Sequence, residues 1–189
     1  VFSQSFLGLG INELTKQFLN EPNCFATGYP LPNGANSAGN VITCEHNIEL
    51  LTNNLHHVSD VQLKNLTLNV EHWLALGSLS HLHSSKPFES LTSQITMKQI
   101  LSLAESGACT IDWLQLKKSD PYNQYLYSSC LASAYFYAIT VAGYGLNETT
   151  IIDTKLKNLS KDLDWTYGVV IKNHNSIKQL IANHGIIAQ

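Results

Sequence analysis

The chain of 189 residues lacks arginine, and its eleven basic residues, all lysines, leave a net charge of −3. It therefore offers neither a basic stripe for a nucleic-acid backbone nor a guanidinium for bidentate phosphate binding, so we expect no nucleic-acid partner. No apolar run is long enough to span a bilayer, and we expect no membrane association. Neither CxxC nor CxxH spacing occurs, which argues against a zinc site.

The four cysteines fall into two well-separated pairs, Cys24 with Cys44 and Cys109 with Cys130. An even count favours disulfides, and sequential pairing would close two loops of about twenty residues, each contributing roughly 3 kcal/mol. Pairings between distant segments, and four buried thiols, stay open as alternatives. Disulfides predict a secreted or periplasmic protein, and abundant Asn, Lys and Ile without Arg are typical of an AT-rich bacterial genome.

With 44% hydrophobic residues, the chain can bury a core, and its patterns predict a mixed α/β structure in which helices dominate. The expected strands are one in residues 1–10 that runs into a glycine-bounded turn, one at 71–79 and one within 147–154, where residues 149–152 favour a strand. The expected helices are a short one through Leu14 and Phe18, then 45–58, a turn at 59–60, 96–106, 111–118 and a long tyrosine-rich helix. Residues 21–40 are expected to be a loop. Leu50, Leu51 and Leu55 are predicted to face inward, and Thr96 with Gln99 forms a capping-box pattern ahead of a helix stopped by Gly107.

The tyrosine-rich helix lies in residues 120–145, which hold six of the eight tyrosines. Asp120 is a typical N-cap, Pro121 suits the first helical position, and Gly143 can take a left-handed C-terminal position. Ala134 precedes Tyr137 on one face, so we expect a notch in which a planar ligand could stack. The alternative to ligand binding is that the tyrosine rings fill the core while their hydroxyl groups face solvent at its edge.

Three segments carry a resemblance to a known family. They are residues 1–10 (VFSQSFLGLG), the tyrosine-rich helix with Cys130 and a trailing Gly-Tyr-Gly, and residues 164–168 (DWTYG). Together they resemble the C-terminal half of the apyrases, the nucleoside triphosphate diphosphohydrolases. In that family the first follows the second glycine-rich phosphate loop, and the last is the Trp-x-x-Gly that opens the final helix. The segment from Cys24 to Cys44 is similar to that of secreted bacterial members.

The resemblance implies an RNase-H-like lobe of the actin-like ATPase superfamily, in an enzyme with two α/β lobes and a nucleotide between them. Residues 1–160 would form most of the second, nucleobase-binding lobe. Residues 155–161 would cross to the first lobe, on which the helical segment 161–189 would pack. The family cleaves terminal phosphates of nucleoside tri- and diphosphates with an attacking water, a glutamate base and a divalent cation, Mg or Ca.

The family's other catalytic segments do not occur in this sequence. It contains no Asp-x-Gly-Ser/Thr loop, no Leu-Gly-Gly loop and no segment like that of the glutamate base. We therefore expect no catalytic residue in this chain, no hydrolysis by it alone, and a missing N-terminal lobe as its partner. The alternative is a non-enzymatic secreted binding or interaction module with a tyrosine-rich helix face.

The residues that match the family's base site are Tyr137, which would stack on the nucleobase, and Ala134 beside it. Some relatives close the site with an arginine, in whose place Tyr144 or Tyr135 could stand here. His81 would lie at the edge of the base, unless it faces solvent. Residues 122, 125 and 127, all tyrosines, are assigned to packing near Cys130.

Two further features were weighed as cation sites. Trp165 would line the cleft near the hydrated cation, or pack between the lobes. The histidine pairs His56 with His57 and His81 with His83 lack the i, i+4 spacing by which ligands converge on a helix face, so we expect surface histidines and no metal site in this chain.

Overall fold

The computed structural model describes residues 6–61, 73–75 and 77–154. Within them the α-helices are α1 (Ile11–Gln17), α2 (Val41–His56), α3 (Ser78–His83), α4 (Met97–Leu103), α5 (Trp113–Ser119) and α6 (Ser129–Tyr137). The strands are β1 (Trp73–Leu74), β2 (Gln94–Ile95) and β3 (Ile152–Asp153). 3-10 turns cover Val58–Val61, Phe88–Ser90 and Leu126–Ser128, and α4 and α6 continue as the π-helical segments Ala104–Ala108 and Ala138–Gly143. The predicted mixed α/β class is confirmed.

The three strands form one small mixed sheet in the order β1-β3-β2. β3 is parallel to β1 and antiparallel to β2, with Ile152 opposite both Trp73 and Ile95. Ile152 and Ile95 are buried, which fixes the register of the central strand against the helical core. The core lies between this sheet and the helices α2, α4 and α6. Within it α6 packs against both α2 and α4.

The helix α2 begins four residues earlier than predicted, because Asn40 serves as its N-cap by accepting a hydrogen bond from the backbone N–H of Thr43. Its inward face is formed by Val41, Cys44, Ile48 and Thr52. The predicted orientation was therefore wrong for Leu50 and Leu55, which are 46% and 68% exposed. Only Leu51 packs against the core as expected. The predicted further turn after α2 is confirmed as the 3-10 turn Val58–Val61.

The predicted capping box of α4 is confirmed. The Thr96 hydroxyl accepts from the Gln99 backbone N–H, and the Gln99 side chain accepts from the Thr96 backbone N–H. The helix does not stop at Gly107 but passes through it as a π-helical segment. The short helices predicted near Leu14 and at 111–118 are present as α1 and α5, the latter capped by the Asp112 side chain.

The tyrosine-rich segment is a shorter helix than predicted. Asp120 is not an N-cap: it follows α5, and its carboxylate accepts from the Asn123 side chain. The Asn123 side chain in turn accepts from the Tyr125 backbone N–H, a local bond that competes with helix formation and delays α6 to Ser129. At the other end, Gly145 rather than Gly143 takes the left-handed conformation, with φ of 72°.

Gly143 is instead required by close packing. A Cβ atom at this position would lie 2.6 Å from Cγ1 of Val58, in the 3-10 turn that follows α2. The absence of a side chain thus lets the π-helical end of α6 approach that turn.

Two predicted strands were too long. Of residues 71–79, the described part forms a strand only at β1, and Leu79 lies on α3, where it and Leu82 are buried. Before β3, Asn147 begins a turn because its side chain accepts from the Thr149 backbone N–H. Residues 6–10, where the opening strand was expected to run into a glycine-bounded turn, form a turn. The connector 155–161, the segment 161–189 and Trp165 lie outside the described residues.

Sequential disulfide pairing is confirmed: Cys24 bonds to Cys44, and Cys109 to Cys130. The two closed loops also touch each other. The Thr27 backbone N–H donates to the carbonyl oxygen of Cys109, while a Cβ atom at Gly39 would collide with that same carbonyl. The two loops therefore pack backbone to backbone.

Among the described residues, no helix combines the length and apolar character that crossing a membrane requires.

Candidate functional site

Along one face of α6 and its π-helical continuation, Tyr137 differs in burial from its neighbours. Cys130, Ala134 and Ala138 have no exposed surface, whereas Tyr137 is only partly buried. Ala134 therefore forms part of the core, and the space beside it is filled. What remains accessible at this position is part of the Tyr137 ring.

The Tyr137 hydroxyl lies in a chain of polar contacts with Lys98 and Glu148, which we call the Tyr137 cluster. The hydroxyl donates to one carboxylate oxygen of Glu148 at 2.9 Å, and Lys98 Nζ donates to the other at 3.1 Å. The Lys98 backbone N–H also donates to the Glu148 carbonyl oxygen at 3.0 Å. Glu148 is thus fixed between α4 and α6, and the Tyr137 ring is fixed with it.

The protonation states within the cluster are set by these contacts. Burial, followed by the hydrogen bond to Glu148, raises the pKa of Tyr137 to about 12. The hydrogen bond from Lys98, followed by that from Tyr137, lowers the pKa of Glu148. At neutral pH the phenol is therefore neutral and the carboxylate charged. A phenol with so high a pKa cannot serve as a general base, whereas a half-buried ring beside a charged acceptor can bind a planar, polar ligand.

Tyr144 and Tyr135, the candidates for the wall opposite the Tyr137 ring, differ in their hydrogen bonding and burial. The Tyr135 hydroxyl donates to the carbonyl oxygen of Leu9 at 2.6 Å, and burial, then Tyr144, raises its pKa to about 12. Tyr144 is half-buried, and burial raises its pKa as well. The Tyr135 hydroxyl is therefore occupied by the segment before α1. Tyr144 lies close enough to Tyr135 to raise its pKa, and the contacts of the described residues do not bring it to the Tyr137 ring.

His81 lies apart from these tyrosines. It is exposed on α3, where it lines a cavity of about 560 Å³ between α1, α3 and the start of α6. Neither Tyr137, Ala134 nor Tyr144 lines this cavity. The structure thus divides the predicted base site between two faces of α6.

His83 has a structural role. It is buried, with Nε2 3.2 Å from the Leu91 carbonyl oxygen and Nδ1 3.3 Å from the Thr154 hydroxyl. It joins α3 to the loop before β2 and to the residue after β3.

The tyrosines before α6 do not all pack near Cys130 as assigned. Tyr122 and Tyr125 are exposed, so that assignment was wrong for both. Tyr127 does pack, stacking on Tyr29 with ring centroids 5.9 Å apart.

No group of three or more His, Cys, Asp or Glu side chains is placed to hold a metal ion within residues 6–61, 73–75 and 77–154.

Sequence reasoning missed Glu148 and Lys98. Glu148 lies eleven residues after Tyr137 and fifty residues after Lys98 in the sequence. No periodicity connects such separations, because Lys98 lies at the start of α4, Tyr137 at the end of α6 and Glu148 in the segment between α6 and β3. An acidic residue in a short loop after an aromatic helix was the only signal, and it is a weak one.

A protein-family model described as the GDA1/CD39 (nucleoside phosphatase) family matches residues 35–185. The match includes α2 through β3 and therefore the whole Tyr137 cluster. No curated protein matches the chain.

Proposed function

Because the chain belongs to the GDA1/CD39 (nucleoside phosphatase) family, we propose that it supplies the nucleobase-binding part of an enzyme that cleaves terminal phosphates from nucleoside tri- and diphosphates. The observation that carries this proposal is the partly accessible Tyr137 ring, fixed by a hydrogen bond to a charged carboxylate. The ring provides a flat apolar surface, and the carboxylate provides a polar contact at its edge.

Stacking is the main attractive contribution in this proposal. A base stacked on an aromatic side chain gains roughly 1 to 3 kcal/mol, and every base offers a flat face. The bond to Glu148 holds the Tyr137 ring in place before ligand binds, which lowers the entropic cost of binding. Ala134 supports the ring from within the core.

Glu148 supplies base preference. Its carboxylate is charged and accepts hydrogen bonds only, so it binds an exocyclic amino group and repels a carbonyl oxygen at the same position. We therefore expect adenine or cytosine to bind better than hypoxanthine or uracil. Lys98 offsets the charge of Glu148 and keeps the carboxylate in position.

The chemistry on the phosphates lies outside the Tyr137 cluster. The proposal assigns the attacking water, the glutamate base and Mg or Ca to a first lobe, in a two-lobe RNase-H-like enzyme. Residues 1–160 form most of the second lobe, and residues 161–189, including Trp165, pack on the first.

The disulfides fit an extracellular protein, and we propose secretion, or export to the periplasm, by a bacterium.

The test is calorimetric titration of the purified chain with ADP and with adenosine. Tyr137→Ala should weaken binding about tenfold or more, because the stacking surface is lost. Tyr137→Phe keeps the ring and should lose less. The matched control is Tyr122→Ala, which removes a tyrosine that is 97% exposed and remote from the cluster in sequence. Equal binding by Tyr137→Ala and Tyr122→Ala would overturn the proposal.

A non-enzymatic interaction module is the second candidate, and the exposure of Tyr122 and Tyr125 is the observation that favours it. Exposed tyrosines are enriched where proteins bind each other. In that case Tyr122→Ala, rather than Tyr137→Ala, would remove binding of a partner, and neither variant would alter a response to nucleotides.

A further inference from the structure

We propose that the cavity between α1, α3 and α6 binds an uncharged oligosaccharide. Its volume of about 560 Å³ exceeds that of a single nucleobase and suits two or three sugar rings. The residues on which the argument rests are Asn12, Ser78, His81, Tyr125, Ala132 and Phe136.

Most of the residues that line the cavity have polar side chains, beside an apolar part that includes Ala132 and Phe136. Hydroxyl, amide and imidazole side chains predominate, and no Asp, Glu or Lys of the described residues lines the cavity. Within the part of the chain that the structure describes, a phosphate or carboxylate in this cavity would find no lysine to pair with it. Uncharged donors and acceptors on several sides match a ligand that carries many hydroxyl groups.

Three of the polar side chains are free to bind such a ligand. Asn12, Ser78 and His81 line the cavity from α1 and α3, and their side chains make no hydrogen bond with any described residue. By contrast, the hydroxyl of Ser85 donates to the Leu82 carbonyl oxygen and keeps only its acceptor capacity. The cavity therefore combines free donors with free acceptors.

The floor of the cavity is one stripe of α6. Ser129, Ala132 and Phe136 are spaced i, i+3 and i+7, so they lie on one face. The two small residues leave open space beside the Phe136 ring, and Tyr125 stands exposed at the rim. The apolar face of a sugar ring packs on an aromatic face in such a space.

The arrangement of rings disfavours a nucleobase here. A base binds best in a flat slot between parallel rings, but the near-parallel rings close to this cavity, Phe25, Tyr29 and Tyr127, are stacked on one another. The inference is independent of the proposed function, because Tyr137 does not line the cavity.

The test is ligand-observed saturation-transfer NMR on the intact chain, with maltotriose and N,N′,N″-triacetylchitotriose, both uncharged, as probes. We expect transfer to at least one probe and a shift of the His81 imidazole signals on titration. Ala132→Leu fills the floor, and Phe136→Ala removes the ring. Each should weaken binding about tenfold, whereas Leu114→Ala, at a residue 72% exposed elsewhere on the surface, should change nothing.

Tyr137→Ala should bind the probe as the unmodified chain does, whether or not it binds nucleotides. If neither sugar gives transfer or shifts His81 in the unmodified chain, the inference is overturned without reference to any variant. Adenosine shifting His81 while both sugars fail would also overturn it, in favour of a nucleoside in this cavity. Retained disulfides and an unchanged near-UV circular dichroism spectrum identify variants that fold.

Discussion

The Tyr135 hydroxyl donates a hydrogen bond of 2.6 Å to the carbonyl oxygen of Leu9, 126 residues away in sequence. Through this one contact α6 holds the backbone just before α1. Leu9 is itself buried, so its carbonyl oxygen has little access to water as a substitute partner.

Tyr135→Phe should therefore lower the free energy of unfolding by about 1 kcal/mol, since a buried acceptor loses its donor while the ring stays in place. Urea denaturation would measure the change. Tyr122→Phe removes a fully solvated hydroxyl and serves as control. A loss equal to that of the control would mean that the Leu9 carbonyl oxygen finds water.

The Tyr137 cluster predicts a pH dependence of stability. The folded state lowers the pKa of Glu148, so the stabilisation is present above the carboxyl's unfolded pKa and is lost as pH falls through the lowered folded value. The difference in unfolding free energy between the unmodified chain and Glu148→Gln should therefore stay constant from neutral pH down to the ordinary range of a carboxyl pKa, and it should shrink as the pH falls further, through the lowered folded value.

Urea denaturation at a series of pH values checks this expectation. Glu13→Gln provides the control, because the exposed side chain of Glu13 pairs with the exposed side chain of Lys16 within one turn of α1. A difference for Glu148→Gln that does not change with pH would contradict the assigned ion pair.

Gly143 predicts a stability loss by overpacking. Gly143→Ala places a methyl group 2.6 Å from Val58 Cγ1 and should cost about 1 to 3 kcal/mol, because both residues are buried. Gly10→Ala is the matched control, since nothing lies within 4 Å of the added Cβ atom.

A double-mutant cycle isolates this contact. Gly143→Ala should cost less in a Val58→Ala background than alone, since the added methyl group then has space. Strict additivity of the two changes would show that the loss arises elsewhere.

The Cys109–Cys130 bridge joins the end of the α4 π-segment to α6 and closes a loop with a sequence separation of 21 residues. Cys109→Ala with Cys130→Ala should lower the free energy of unfolding by roughly 3 kcal/mol on the chain-entropy account. Thermal denaturation with and without reductant would measure it. The double variant should respond less to reductant than the unmodified chain does.

Features encoded within a few residues were predictable from the sequence. The Thr96 capping box needs only Thr96 and Gln99, and sequential pairing of the cysteines joins the nearest partners along the chain. The family resemblance seen in three short segments was confirmed by a match over residues 35–185.

Features decided by competition or by distant contacts were not predictable. Asp120 has the chemistry of an N-cap, but the Asn123 side chain accepts a hydrogen bond from the Tyr125 backbone N–H, and this local bond replaces a helical turn there. Leu55 shares a face of α2 with the buried Cys44 and Ile48 by helical spacing, yet it is exposed in the last turn of the helix, so spacing alone did not decide its burial. Glu148 meets Tyr137 only after the chain has folded, so no local pattern could identify it.

The contact between the loops 24–44 and 109–130 couples the effects of the two disulfides on stability. The carbonyl oxygen of Cys109 is engaged by Thr27 and leaves no room for a side chain at Gly39. Opening either loop breaks that contact and so loosens the other loop, even while its own bond is intact. The two disulfides, which end on α2 and α6, therefore stabilise the fold jointly. Removing both should lower the free energy of unfolding by less than the sum of the two single losses.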